Sequence, residues 1–254
     1  MSLPAVEARA VSKTFRRPKQ RYSSLKERFL HPLRGDSYEE FRALDDVSLE
    51  VAPGEFFGIV GRNGSGKSTL LRCLTGIYRS DSGEVALRGR VAPFIELGVG
   101  FNPELSAQDN ALINAVMLGM SPREARACID EIFDFAGLED FRSLKMLNYS
   151  SGMIVRLAFA VTVQVEADTL LFDEVLAVGD EAFQKKCLDR FERLKAEART
   201  IVLVTHNMTT VETFCDRAML LEAGRVGAVG DPHDVAEAYH RANAGGPDLV
   251  AVSA

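Results

Sequence analysis

Gly61, Arg62, Asn63, Gly64, Ser65, Gly66, Lys67 and Ser68 stand in unbroken order, the eight-position pattern of a phosphate-binding loop. Its glycines let successive backbone N–H groups curl toward anionic oxygens, and a following helix adds its positive end. In such a loop Lys67 reaches the β- and γ-phosphates of a nucleoside triphosphate. The Ser68 hydroxyl faces Mg²⁺, and Thr69 stands next to it at the helix start. A Gly-rich turn could match by chance. The apolar strand before the loop (55–60) and the helical pattern after it (67–77) argue against that.

A second set fits the same chemistry. Thr169-Leu170-Leu171-Phe172 is an apolar run ending in Asp173 and Glu174. Two acids at a strand end commonly mark a solvated turn. Beside a phosphate loop, Asp173 can hold the Mg²⁺ shell, and Glu174 can orient and deprotonate a water attacking the γ-phosphate. His206 closes another apolar run in Val204-Thr205-His206-Asn207. It is either a polar strand terminus or a γ-phosphate contact at the carboxyl edge of the same sheet. His31, His233 and His240 lie in no partner pattern.

Positioning these groups requires strands that end together. Short Val/Ile/Leu/Phe runs predict strands at 6–15, 42–52, 55–60, 84–92, 168–173, 200–205 and 218–222. The nearly continuous apolar runs among them read as parallel strands covered on both faces. Helical patterns fall at 67–77, 109–119, 122–136, 151–166, 181–198 and 232–243. Ser121-Pro122 and Asp231-Pro232 provide helix-start signals. The stretch 97–166 is almost free of strand signals and reads as a helical insert in an α/β core.

The 254 residues carry 30 Lys+Arg against 36 Asp+Glu, a formal charge of −6. A composition 46% hydrophobic and 26% charged excludes wholesale disorder, and the acidic balance argues against general nucleic-acid binding, which needs a basic footprint. No run approaches 18 apolar residues, so no membrane span is expected. The N-terminus lacks a signal-peptide layout. Cys73, Cys128, Cys187 and Cys215 are too widely spaced for a zinc site or a disulfide framework, and are expected as reduced thiols in a cytosolic protein.

Residues 16–34 depart from this average. Seven basic side chains (Arg16, Arg17, Lys19, Arg21, Lys26, Arg28, Arg34) stand against the single acid Glu27. Tyr22, Leu25, Phe29 and Leu33 recur at helical spacing among them. The segment reads either as a solvated basic loop or as an amphipathic helix for a membrane surface or membrane partner.

Leu147-Asn148-Tyr149-Ser150-Ser151-Gly152-Met153, followed by Arg156-Leu157-Ala158, resembles the signature motif of ABC-type ATPases. Ala177-Val178-Gly179-Asp180 resembles their D-loop. The resemblance implies an α/β P-loop NTPase of the ABC type, with a mostly parallel core sheet, an antiparallel β subdomain and a helical subdomain. It implies a single ATPase domain over 1–243, with core segments 1–96 and 167–243, helical subdomain 97–166, insertion 16–40 and a loose tail 244–254. Two copies would sandwich two ATP molecules head to tail. Ser150, Ser151 and Gly152 would then cap the γ-phosphate held by the partner, with Asp180 beside them.

The Tyr-Ser-Ser-Gly-Met form departs from the usual signature at Ser151 and Met153. Together with 97–105 and 172–180 it is similar to the ATPase subunits of bacterial polysaccharide exporters, which move lipid-linked O-antigen, capsule or teichoic acid chains. This implies a transmembrane permease partner and a peripheral position on the cytoplasmic face of the membrane. Longer O-antigen exporters carry a further carbohydrate-binding domain after the ATPase. Little chain follows residue 243 here, so the resemblance does not extend to direct sugar recognition. The family's Q-loop glutamine is missing. Glu96 is the candidate metal ligand for that position, with Asn102 second. Phe15 is the candidate for stacking on adenine, in competition with Tyr22 and Phe41. Other readings are a transporter of different cargo, a soluble ABC-type ATPase and a P-loop small-molecule kinase.

Overall fold

The computed structural model describes residues 3–18, 38–95, 100–174 and 180–244. β1 (Val6–Pro18) pairs antiparallel with both β2 (Tyr38–Val51) and β4 (Ser82–Leu87), making a three-stranded sheet. The second sheet has six strands in the order β5-β6-β7-β3-β8-β9. These are β3 (Phe56–Val60), β5 (Val91–Phe94), β6 (Thr169–Asp173), β7 (Thr200–Val204), β8 (Arg217–Glu222) and β9 (Arg225–Gly230). All pairs in it are parallel except β8 with β9. β3 and β7 are buried at every position, which is why their sequences are continuously apolar rather than alternating.

The parallel register brings the carboxyl ends of β3, β6 and β7 to one edge, with Asp173 opposite Val204 and Ile59 opposite Val204 on the other side. Helix α1 (Lys67–Leu74) leaves β3 at that edge. The helical region comprises α2 (Ala107–Met117), α3 (Pro122–Ala127), α4 (Ile129–Ala136) and α5 (Ser151–Gln164). α6 (Glu181–Ala196), α7 (Met208–Phe214) and α8 (Pro232–Ala244) complete the chain. The fully buried ring of Phe159 joins the layers. Its centroid lies 5.7–6.1 Å from those of Phe94, Phe135, Phe172, Phe183 and Phe191. Truncating such a core aromatic to alanine costs about 3–5 kcal/mol.

Four elements differ from the sequence expectation. The expected strand 84–92 is two strands in different sheets, because Gly89 turns the chain at φ +82°. A Cβ there would lie 2.4 Å from Asp168 Oδ2. The expected helix 122–136 breaks at Cys128 (φ −99°, ψ 4°) into α3 and α4. β9 and α7 were not expected at all.

β1 and β2 also run further than expected. Arg16 faces Glu40 and Arg17 faces Glu39 across the ladder. The first residues of the expected insertion 16–40 are therefore strand, as are its last. The rest of the basic segment lies outside the described residues, as do Tyr22, Glu96 and the tail beyond Ala244. Among the described residues, no helix is long and apolar enough to cross a membrane. The four cysteines are unpaired thiols, and burial pushes Cys187 and Cys215 up to about 12.

Candidate functional site

The loop between β3 and α1 is shaped by close backbone approaches. A Cβ on Gly61 would lie 2.3 Å from Leu221 O, and one on Gly66 would lie 2.6 Å from Ala43 O. Gly66 also sits at φ +108°, a region that disfavours side chains. Gly64 (φ +81°) has nothing within 4 Å of its Cβ position, so this part of the loop faces open space, beside the exposed Asn63.

Gly66 caps α1 without a side-chain bond, and the first turn of α1 carries no acid. The first N–H groups of the helix are thus left for an anion. Lys67 is 5% exposed and folds back along the loop, where its Nζ donates to Gly61 O at 2.8 Å and Arg62 O at 3.0 Å. Burial lowers its pKa, while the negative charges of Glu174 and Asp173 act in the opposite direction.

Asp173, at the end of β6, accepts a hydrogen bond from the Ser68 hydroxyl. Burial raises its pKa; that hydrogen bond and the charge of Lys67 pull it down. Asp173 Oδ1 and Ser65 Oγ are both buried without a hydrogen-bond partner. Buried orphans of this kind are costly and mark places where a ligand completes the bonding. Ser68 and Asp173 supply the hard oxygens that Mg²⁺ prefers. Among the described residues no cluster of three His, Cys, Asp or Glu side chains could hold a metal by itself. A cation here would complete its shell with phosphate oxygens and water, and these residues fit a Mg²⁺–nucleotide pair.

Glu174 takes the left-handed backbone conformation (φ +50°), held by its N–H donating to Val204 O at 2.9 Å. Strain of this kind persists where the surroundings dictate a side chain's direction. Its Oε1 lies 3.5 Å from His206 Nδ1, and both side chains are about half exposed at the strand edge (42% and 55%). Sequence positions 67, 68, 173, 174 and 206 thus converge on one rim of the sheet.

The signature residues are arranged differently. Ser150 is the N-cap of α5, and its Oγ accepts from Met153 N at 3.2 Å. Ser150 and Ser151 are exposed, and Gly152 is half-buried. Tyr149 before them is buried, and its hydroxyl donates to Phe141 O at 3.0 Å. Burial pushes that hydroxyl up to about 12. The bonds that place this segment run into the helical region. Asp180 caps α6, its Oδ1 accepting from Phe183 N at 2.8 Å, and Arg156 of α5 lies 3.8 Å from its other oxygen.

Phe15 is half-buried, with its ring 5.5 Å from Tyr78 in an edge contact and Lys13 Nζ 5.6 Å from its centroid. Phe41 is its cross-strand neighbour and is 42% exposed. Tyr78 was missed by sequence reading, because its link to Phe15 comes from tertiary packing that no local pattern announces. Asn102 spends its side-chain oxygen on Glu104 N at 2.9 Å, closing its own turn.

The family model described as "ABC transporter" matches residues 44–177. An O-antigen export system ATP-binding protein of Myxococcus xanthus is 44% identical over 247 residues. That match covers 95% of this chain, which spans 56% of the length of that relative. An O-antigen export system ATP-binding protein of Klebsiella pneumoniae is 40% identical over 225 residues, covering 87% of this chain and 92% of its own length. Among solved structures, a dimeric ATP-binding cassette in a post-hydrolysis state, bound to ADP and Pi, superposes with a TM-score of 0.72 at 24% identity. It covers 89% of this chain and 98% of that one.

Proposed function

We propose a function that proceeds from one fact: the chain belongs to the ABC transporter family. It is the ATP-binding and ATP-hydrolysing subunit of an exporter of lipid-linked polysaccharide, of the O-antigen, capsule or teichoic acid type. The observation that carries the hydrolytic part is the meeting of Lys67, Ser68, Asp173, Glu174 and His206 at one sheet edge, with Asp173 Oδ1 and Ser65 Oγ left unpartnered. The cargo class is supported by the O-antigen export names of relatives at 40–44% identity.

ATP is the substrate. The N–H groups of 61–69 and the Lys67 ammonium hold its phosphates, and Phe15 stacks on the adenine. Ser68 and Asp173 would hold Mg²⁺, with Glu96 adding a ligand in place of Asn102, whose side-chain oxygen closes its own turn, and the ion would neutralise charge on the β- and γ-oxygens. Glu174 accepts a proton from the water whose oxygen attacks the γ-phosphorus. The bond to the ADP oxygen breaks, and ADP and phosphate leave. His206 contacts the γ-phosphate, so the burden falls on positioning and electrostatics.

Ser150, Ser151 and Gly152 complete the site from a second copy, with Asp180 beside the interface. Two ATP molecules lie between two subunits. Closure on ATP and reopening after hydrolysis drive a transmembrane permease, placing this subunit peripherally on the cytoplasmic face. Residues 16–34 meet the anionic membrane surface or that permease. Of these, Arg16 pairs with Glu40 at 3.3 Å and Arg17 lies 5.2 Å from the Phe41 ring centroid.

Deleting the gene in its host should remove a surface polysaccharide. The parent sequence should restore it, and Lys67→Ala should not. An unchanged cell surface, with another solute failing to cross, would move the assignment to a different cargo.

A further inference from the structure

Asn110 is 1% exposed on α2, and among the described residues assigned above it hydrogen-bonds only Asn102. Its amide is fully used. Oδ1 accepts from Asn102 N at 2.6 Å, and Nδ2 donates to Asn102 O and Ser106 O at 2.9 Å and to Leu105 O at 3.3 Å. An amide can donate and accept at one point; a carboxylate would face three carbonyl oxygens with no proton to give.

The turn that Asn110 closes is one side of a seam. Met146 N donates to Leu105 O at 3.0 Å, Leu147 N to Pro103 O at 3.0 Å, and Ala107 N to Leu144 O at 2.9 Å. Lys145 pairs with Glu104 at 3.1 Å across it. The other side of the seam, residues 142–149, leads directly into Ser150. It contains no regular element beyond the short 3₁₀ turn Met146–Asn148. A segment without its own ladder takes its position from what it bonds to, and here that is the turn organised by Asn110.

We propose that Asn110 is a positioning residue for the signature segment: it fixes the turn 102–106, and the seam then sets where Ser150 and the start of α5 are presented. The proposal rests on the two-copy reading above, because Ser150 acts there on nucleotide held by the partner. It assigns Asn110 a role in closure and none in holding nucleotide within its own chain.

The test uses the 254-residue chain carrying Glu174→Gln. Addition of ATP to that variant, followed by light scattering, first asks whether two copies associate at all. Failure there removes the two-copy reading, whatever Asn110 does. Asn110→Asp and the milder Asn110→Ser are then added to the same background. The expected result is ATP binding to the separate subunit within about twofold of the parent, and an ATP requirement for association raised about tenfold, as for the loss of one or two buried hydrogen bonds.

Amide exchange should quicken in 142–149 and stay unchanged in 61–68. If Asn110→Asp does not fold, Asn110→Ser decides. Glu104→Ala, an exposed change on the same seam, should shift association in the same direction by less. Unchanged association with unchanged exchange in 142–149 overturns the proposal. So does exchange that quickens equally in 61–68, which would make Asn110 a general packing residue.

Discussion

Two helix starts carry the proposed chemistry, and they are built in opposite ways. α1 begins at Gly66 with no side-chain cap, and the residues around it are buried and partly unpartnered. α5 begins at Ser150, capped by its own serine and open to solvent. The first start is prepared for a ligand by its own chain and left incomplete in its bonding. The second is locally satisfied and aimed outward. On the proposed two-copy reading, a site divided this way would read nucleotide in two steps, binding at α1 and closure at α5.

Substitutions can separate those steps. The largest effect should come from Glu174→Gln, which removes the proton acceptor and should lower turnover by about 10²–10⁴ while ATP stays bound. Single-turnover hydrolysis checks it, and parental turnover would dismiss Glu174 as the base. Lys67→Ala should cost about 10²–10³ in turnover, as for loss of one preorganised donor. Unlike the first variant it should also weaken ATP binding, measured by titration.

Ser150→Ala should act at the other helix start. Loss of the cap should lower the unfolding free energy by about 0.5–2 kcal/mol in denaturant melts. ATP binding to the separate subunit should be retained while steady-state turnover falls.

The smallest effect concerns the stability of the nucleotide-free protein. Asp173 has a raised pKa in the fold, chiefly through burial. Its unfavourable contribution is absent below the ordinary carboxylate range. As pH rises through that range toward the raised folded value, the unfolded chain releases its proton first, and the unfolding free energy falls. Asp173→Asn should remove that fall and stabilise the nucleotide-free protein by less than the loss of the Ser150 cap costs, at the expense of activity. Melts across pH compare the two proteins; parallel curves would show that burial of Asp173 is not the cause.

The phosphate loop was legible in sequence because its chemistry is contiguous: one strand, eight residues and one helix carry it. Asp173, Glu174 and His206 were legible because parallel strands ending in polar residues share an edge. The split of 84–92 was hidden because both halves are apolar enough for one strand, and Gly89 alone marks the turn. α7 was missed because it is short and rich in β-branched Thr and Val, which weakens its helical pattern. β9 was missed because Arg225–Gly230 is an edge strand with two glycines and no large apolar side chain beyond two valines. Tyr78 meets Phe15 only through tertiary packing, and Asn110 acts through bonds that close its own turn; neither leaves a periodic trace.

The division of the site between two copies is tested most directly by the mass of the Glu174→Gln protein in solution, with and without Mg²⁺ and ATP. Light scattering should show one subunit without nucleotide and two with it, returning to one when Ser150→Ala is added. A protein that binds ATP at saturation and stays a single subunit would contradict the account.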